Sequence, residues 1–136
     1  MLARAILLAA SLMWSASVVA QTAGAPLVLE AKIALGEVSG RIDHLSIDLR
    51  RQRLFVAELG NDSVGVVDLD QRKVIHVIAG LKAPQGIAHE ASTDTLYVAN
   101  GGDGTVRMFQ ASDFVSQGRI DLGGDASRRR FASAGP

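Results

Sequence analysis

The chain has 136 residues, with 14 basic and 14 acidic side chains and no cysteine. Without cysteine it cannot form disulfides, thiolate metal sites or a cysteine nucleophile, so a packed core must hold it together. Between residues 21 and 124, ten lysines and arginines stand against thirteen aspartates and glutamates. This acidic balance is opposite to that of a nucleic-acid-binding protein, and we expect no nucleic-acid partner.

The first twenty residues have the pattern of a cleavable secretory signal peptide. Arg4 gives a positive start, an apolar stretch follows over residues 5–19, and Val-Val-Ala ends at Ala20 with the small residues that signal peptidase requires. A membrane anchor is the alternative, but the apolar run is shorter than the roughly 20 residues of a spanning helix. We predict a signal peptide at residues 1–20, and a periplasmic or secreted protein with no membrane attachment after cleavage.

Residues 21–39 precede the first internal repeat. Within them, the sequence AKIAL at residues 31–35 is similar to KVIHV at residues 73–77, which lies where the first repeat ends. We therefore predict an outer β-strand in the segment 21–39.

The following residues repeat with an offset of 42, as from Leu54 to Leu96. The sequence LFVAELGNDSVGVV, at residues 54–67, aligns without gaps with LYVANGGDGTVRMF, at residues 96–109. Residues typical of turns separate four short apolar runs in each unit. A period of about 42 residues with four strands per unit is typical of β-propeller blades.

No stretch after Ala20 shows a helical period, so the predicted fold class is all-β, with two four-stranded antiparallel sheets. The second run of each unit is apolar at consecutive positions, so both of its faces need cover, as in sheets stacked face to face. The predicted strands are residues 45–48, 53–59, 63–69 and 73–78 in the first unit, and 86–90, 95–99, 105–110 and 115–122 in the second.

Three motifs in the second unit carry a resemblance to a known family. PQGIA at residues 84–88, LYVAN at 96–100 and TVRMF at 105–109 together resemble the YVTN repeat of bacterial exported propellers. LFVAE at residues 54–58 is a weaker copy. The resemblance implies propeller blades and an exported protein, and it says much less about activity.

The resemblance also implies a division of the chain. One blade covers residues 40–82 and a second covers residues 83–124. In this family a strand such as the one predicted within residues 21–39 commonly completes the last blade and locks the ring.

Two blades do not close a ring, because propellers have four to eight. A third repeat is expected from Asp125, yet residues 125–136 form an irregular basic tail without a strand pattern. We interpret this as a truncation or frameshift. The alternative is a ring assembled from the blades of several chains, in which case exposed strand edges pair between subunits.

Residues that enter the first strand of each blade lie at the mouth of a propeller channel. Arg41, Asp43 and His44 hold these positions in the first unit, and Gln85 holds one in the second. A cation, a carboxylate and an imidazole this close together suit an anion or a metal ion, whereas the alternative is hydrogen bonding to the neighbouring blade. We predict these four as ligand-binding residues.

The remaining charged positions are expected to be structural. His89 aligns with Ile47 and is predicted to be packed or bonded to a turn, and His76 is predicted to be exposed on an outer strand. The charge run at residues 50–53 is predicted to be a solvated surface. We predict no catalytic residue and no metal site, because the sequence holds no HExxH, GxSxG or phosphate-binding loop.

The resemblance implies a non-catalytic binding or scaffold propeller without a cofactor, with a small molecule or a protein as partner at the channel mouth. The alternative is a propeller enzyme, either a metal-dependent lactonase or a redox-associated subunit, inactive in this form. A lactonase needs carboxylate and amide ligands from several blades, and this chain offers only Asp43 at a channel position. Covalent haem attachment would need a CxxCH motif, which the chain lacks.

Overall fold

The computed structural model describes residues 27–123. The predicted signal peptide at residues 1–20 and the predicted tail at 125–136 lie outside the described residues. The chain divides between Glu30 and Ala31 into two units, and all of the strands belong to the second unit. Across residues 27–123, no helix has the length and apolarity needed to cross a membrane.

The described residues form two four-stranded antiparallel sheets in which neighbouring strands follow one another along the chain. This arrangement confirms the predicted all-β fold. A short 3-10 turn at Leu59–Asn61 joins the second and third strands. The first sheet consists of β1 (Leu45–Asp48), β2 (Arg53–Glu58), β3 (Ser63–Asp68) and β4 (Lys73–Ile78), and the second of β5 (Pro84–Glu90), β6 (Thr95–Asn100), β7 (Thr105–Gln110) and β8 (Ser116–Asp121).

Turn hydrogen bonds recur at the offset of the sequence repeat. The Leu69 amide donates to the Gln52 carbonyl at 2.9 Å, and the Ala111 amide donates to the Asp94 carbonyl at 2.8 Å. Each acceptor belongs to the turn between the first two strands of its sheet, and each donor follows the third strand. The two units are therefore copies of one structural module, as the sequence alignment predicts.

The core lies between the two sheets. Antiparallel pairing places Phe55 opposite Val66 in the first sheet and Leu96 opposite Phe109 in the second, so each pair points to one face. Burying a large aliphatic or aromatic side chain contributes about 1.5–3 kcal/mol, so this layer supplies most of the force that holds the sheets together. The buried cluster consists of Phe55, Val64, Val66, Ile78, Leu81, Leu96, Val98, Phe109 and Ala111.

The strand boundaries lie within two residues of those predicted from the sequence. Residues 31–35 differ, because they form no strand where we predict an outer one. An outer strand needs a neighbouring strand to bond, and within residues 27–123 both sheets already have their four strands. The two sheets do not close a ring.

Candidate functional site

The chain enters β1 along a path held by backbone hydrogen bonds to β2 and its turn. The Asp43 amide donates to the Ala57 carbonyl at 2.9 Å, and the Gly60 amide donates to the Arg41 carbonyl at 3.2 Å. A Cβ on Gly60 would lie 2.5 Å from the Ser39 carbonyl oxygen, which is too close for any side chain. Gly60 therefore allows the segment that carries Arg41 to run directly against the turn.

Three of the predicted ligand-binding side chains meet at this entry. An Arg41 Nη2 hydrogen donates to Asp43 Oδ2 at 2.7 Å, and His44 Nδ1 lies 3.0 Å from Asp43 Oδ1. The same His44 nitrogen lies 2.9 Å from the Gln85 carbonyl oxygen of the second sheet. We call Arg41, Asp43, His44 and Gln85 the mouth cluster. Gln85 takes part through its backbone, while its side-chain amide lies against Gly101.

The contact with Gln85 determines the proton position on the His44 ring. A carbonyl oxygen can only accept, so Nδ1 must carry the hydrogen, and in the neutral ring Nε2 then holds the free lone pair. The side chains of His44 and Arg41 are 68% and 65% exposed. The mouth cluster therefore presents one imidazole nitrogen and several guanidinium N–H groups to solvent.

The geometry of the mouth cluster favours an anion over a metal ion. The Asp43 carboxylate is engaged by Arg41 and by His44, and His44 Nδ1 is engaged by the Gln85 carbonyl. His44 Nε2 is then the remaining metal-ligating nitrogen of the cluster, whereas protein zinc sites use three or four side-chain ligands. Arg41 retains N–H donors in a planar fork that matches a carboxylate.

A second polar cluster, at the opposite end of the inner strands, was missed by the sequence prediction. Arg51, in the turn after β1, places Nη1 2.7 Å from Asp48 Oδ2 and 2.7 Å from Asp94 Oδ1. Its Nη2 donates to Asp94 Oδ2 at 2.9 Å, which completes a bidentate pair with the second sheet. His89 Nε2 lies 3.3 Å from Asp94 Oδ1. We call Asp48, Arg51, His89 and Asp94 the turn clamp.

The turn clamp holds its carboxylates in the charged form. Hydrogen bonds from Arg51 lower the pKa of Asp94 well below its usual range, against the raising effect of burial. Burial raises the pKa of Asp48, but bonds from the Arg51 side chain and from the Arg50 and Arg51 amides outweigh it, so the net shift is downward. The two carboxylates in turn raise the pKa of Arg51. The clamp is a charge-assisted link between the sheets.

Asp48, His89 and Asp94 place potential metal-ligating atoms within 4.8 Å of one another. Both carboxylates point at the Arg51 guanidinium, which already supplies a positive charge to them. A metal ion would have to displace Arg51 and leave its charge without a partner. The clamp is therefore best explained as a structural ion pair, in agreement with the absence of unpartnered buried side-chain polar atoms in residues 27–123.

The predictions for His76 and His89 are confirmed, whereas the predicted solvated surface at residues 50–53 holds for Arg50 and Gln52 and is wrong for Arg51 and Arg53. The His89 side chain is only 4% exposed and lies 5.9 Å from the Phe55 ring, between centroids. His76 is exposed and stacks on Phe114 of the second sheet at 4.5 Å. In the run at residues 50–53, however, Arg51 forms the clamp and Arg53 donates to the Ala111 and Ser112 carbonyls. These two arginines donate to acceptors in the second sheet, so their contacts cannot be predicted from the sequence of the first repeat alone.

Comparison with solved structures identifies the arrangement of the sheets. Hydrazine synthase of Kuenenia stuttgartiensis, a propeller-type protein, matches 59% of this chain and 23% of its own, with 23% identity and a TM-score of 0.54. The two sheets are propeller blades. AztD of Citrobacter koseri matches 62% of this chain and 25% of its own, with 15% identity and a TM-score of 0.54. The structure of apo AztD from the same organism matches 62% of this chain and 24% of its own, with 16% identity and a TM-score of 0.53.

These similarities describe the fold alone, because all three identities are below 25%. The chain spans about a quarter of the length of these solved chains. No protein-family model and no curated protein matches the sequence. The YVTN resemblance and its functional implications therefore stay predictions.

Proposed function

We propose that this chain is an exported binding protein of the propeller type, related to the YVTN propellers, which takes its ligand at the mouth cluster. The signal-peptide pattern at residues 1–20 supports export, and the motif at residues 96–100 supports the YVTN relationship. Both of these observations come from the amino-acid sequence. The position of Arg41, Asp43 and His44, just before the inner strand of their blade, supports a binding role for the mouth cluster.

The observation that carries the binding role is the hydrogen bond from His44 to the Gln85 carbonyl, at 2.9 Å. It fixes the imidazole across two blades before any ligand arrives, so little side-chain entropy is lost on binding. It also leaves Nε2 without that bond, and Arg41, which bonds the other oxygen of the same Asp43 carboxylate, keeps an exposed guanidinium. A fixed acceptor next to a planar set of donors is a small preorganised recognition surface.

The ligand class that fits this surface is a small carboxylate. Arg41 has five N–H donors, and the bond to Asp43 uses one of its terminal nitrogens. The second hydrogen of Nη2 faces either Nη1 or Nε–H, and together with that neighbour it can hold a carboxylate in the bidentate geometry that arginine favours. His44 Nε2 would accept a hydrogen bond from a hydroxyl or amine on the same ligand, or donate one when the ring is protonated.

Binding fits the mouth cluster better than catalysis. Nucleophilic catalysis needs a hydroxyl within hydrogen-bond reach of a base, and within residues 27–123 no histidine ring bonds a serine or threonine hydroxyl. A metal-dependent lactonase needs an open set of ligands, but Arg51 already occupies the Asp48, His89 and Asp94 cluster.

The test is an NMR titration of the isotope-labelled protein with succinate. We expect saturable shifts of the amides at residues 41–44 and 85–86, and Arg41→Gln should weaken binding at least tenfold. Arg50→Gln is the matched control, because Arg50 is equally an exposed arginine but lies in the turn at the other end of β1. Shifts that are absent, or unchanged in Arg41→Gln, would refute carboxylate binding at this site.

Two further measurements test the metal-site alternative and the predicted export. Titration with zinc chloride should give no saturable shift at His44; a zinc response stronger than the succinate response would favour a metal site instead.

For export, residues 1–30 fused to a reporter enzyme that is active only outside the cytoplasm should give activity, with a mature N-terminus at Gln21. Replacing Leu7 and Leu8 by aspartate should abolish that activity, and retained activity would contradict the signal peptide.

A further inference from the structure

Each blade of this chain has a second face that the other blade does not cover. In the first blade, Leu45, Ile47 and Leu54 line a shallow depression of about 460 Å³ that is open to solvent, and Leu45 and Ile47 are 56% and 44% exposed. In the second blade, Ile120 is 48% exposed on the face opposite the core. Apolar surface of this kind on both outer faces is a sign of an interaction site.

The two uncovered faces have the same pattern as the two faces that already pack together. On the first blade, Leu45, Ile47 and Leu54 hold the repeat positions of Ile87, His89 and Leu96, which contact the first blade from the second. On the second blade, the uncovered positions correspond to the first blade's core residues Phe55, Val64, Val66 and Ile78; they are Tyr97, Val106, Met108 and Ile120.

This correspondence makes the outer faces complementary to each other. Within the chain, the His89 ring meets the Phe55 ring at 5.9 Å. The equivalent meeting between two copies joins Ile47 of one to Tyr97 of the next. We propose that a second copy of this chain packs its first blade on the uncovered face of the second blade, head to tail, and repeats the interface found within the chain.

The polar part of the internal interface is not repeated between copies. The positions of Arg51 and Asp94 in the turn clamp correspond to Thr93 on the second blade and Gln52 on the first. A neutral pair replaces a bidentate ion pair, so we expect association between copies to be weaker than the internal link and to depend on concentration. A head-to-tail interface closes into a ring, and the four, six or eight blades of known propellers correspond to two, three or four copies.

Sedimentation velocity over a range of protein concentrations tests this proposal. We expect a reversible shift from monomer to a species of two, three or four copies. Ile47→Lys and Tyr97→Lys should each raise the dissociation constant at least tenfold, because a single lysine would be buried in an apolar contact. Val115→Lys is the matched control: Val115 is 60% exposed, and its equivalent in the first blade is the exposed Lys73.

Cross-linking gives a second readout that does not depend on the lysine variants folding. Because the chain has no cysteine, Ile47→Cys and Tyr97→Cys can be combined and treated with a short bismaleimide. We expect the double variant to give a ladder that ends at the closed ring, whereas pairing Tyr97→Cys with Val115→Cys should give none. A monomer at every concentration, or an oligomer unchanged by both lysine substitutions, would overturn the proposal.

Discussion

The turn clamp and the mouth cluster use the same three residue types at opposite ends of the inner strands, yet they differ in burial. In the clamp, Asp48 is 1% exposed and Arg51 is held by two carboxylates. In the mouth cluster, Arg41 and His44 are about two-thirds exposed. Arginine, aspartate and histidine therefore do not indicate a binding site by themselves. What matters is whether their donors and acceptors are already used within the protein.

Removing the cation of the clamp should have the largest effect on stability. Arg51→Met keeps much of the side-chain volume but leaves the buried Asp48 and its neighbour Asp94 without their positive partner. We expect a loss of about 3 kcal/mol in the free energy of unfolding, measured by urea denaturation. Arg50→Met, one residue away and exposed, should change stability by less than about 0.5 kcal/mol. Equal losses in the two variants would contradict the structural role of the clamp.

The charge state of the clamp predicts a loss of stability in acid. Asp94 and Asp48 have a lowered pKa in the folded protein, so their contribution is complete above pH of about 4, the usual carboxyl range, and is lost as pH falls below it. Asp94→Asn should cost about 2 kcal/mol at neutral pH and flatten the fall in stability between pH of about 4 and 2. Thermal unfolding against pH measures both. A mutant curve parallel to the wild-type curve would exclude Asp94 as a source of acid sensitivity.

The mouth cluster depends on a close backbone approach, which Gly60→Ala tests. The new methyl group would collide with the Ser39 carbonyl and with Gly40 Cα, so the segment that carries Arg41 must move away. We expect a loss of about 1–2 kcal/mol in the free energy of unfolding, together with shifted amide resonances at residues 39–44. Gly36→Ala is a control for the added methyl group alone, because open space surrounds that position, although its φ of 85° adds some strain. Unchanged resonances at residues 39–44 in Gly60→Ala would contradict this account.

The repeat made most of the fold predictable. An offset of 42 residues fixed two copies of four strands, because hydrophobic runs and turn residues recur in the same order. It also placed His44 and Gln85 near one another, since both lie where the chain enters the inner strand of its blade. The outer strand predicted at residues 31–35 does not form, because a strand needs a neighbouring strand to bond and an apolar pattern alone does not supply one.

The clamp could not be predicted from the repeat, and the reason is positional. Arg51 aligns with Thr93 and Asp94 aligns with Gln52, so neither charge has an equivalent in the other unit. The pair forms across the interface between blades, which the sequence of one blade does not describe. The lack of equivalents is itself a signal that could have revealed the clamp. Arg51 and Asp94 lie at adjacent positions of the repeat, and each charge is present in only one of the two turns, so the two turns can pair where they face each other.

The smallest stability effect is expected at His44, and it completes the contrast with the clamp. His44→Ala removes the hydrogen bond to the Gln85 carbonyl, but the ring is mostly exposed and water can replace it. We expect a loss of about 0.5 kcal/mol in the free energy of unfolding, with a clear loss of succinate affinity in the same variant. His76→Ala is the control, because His76 is another exposed histidine that joins the two blades by stacking on Phe114. It should leave succinate binding intact. A large loss of stability in His44→Ala with unchanged affinity would assign the mouth cluster to holding the blades together, as the clamp does.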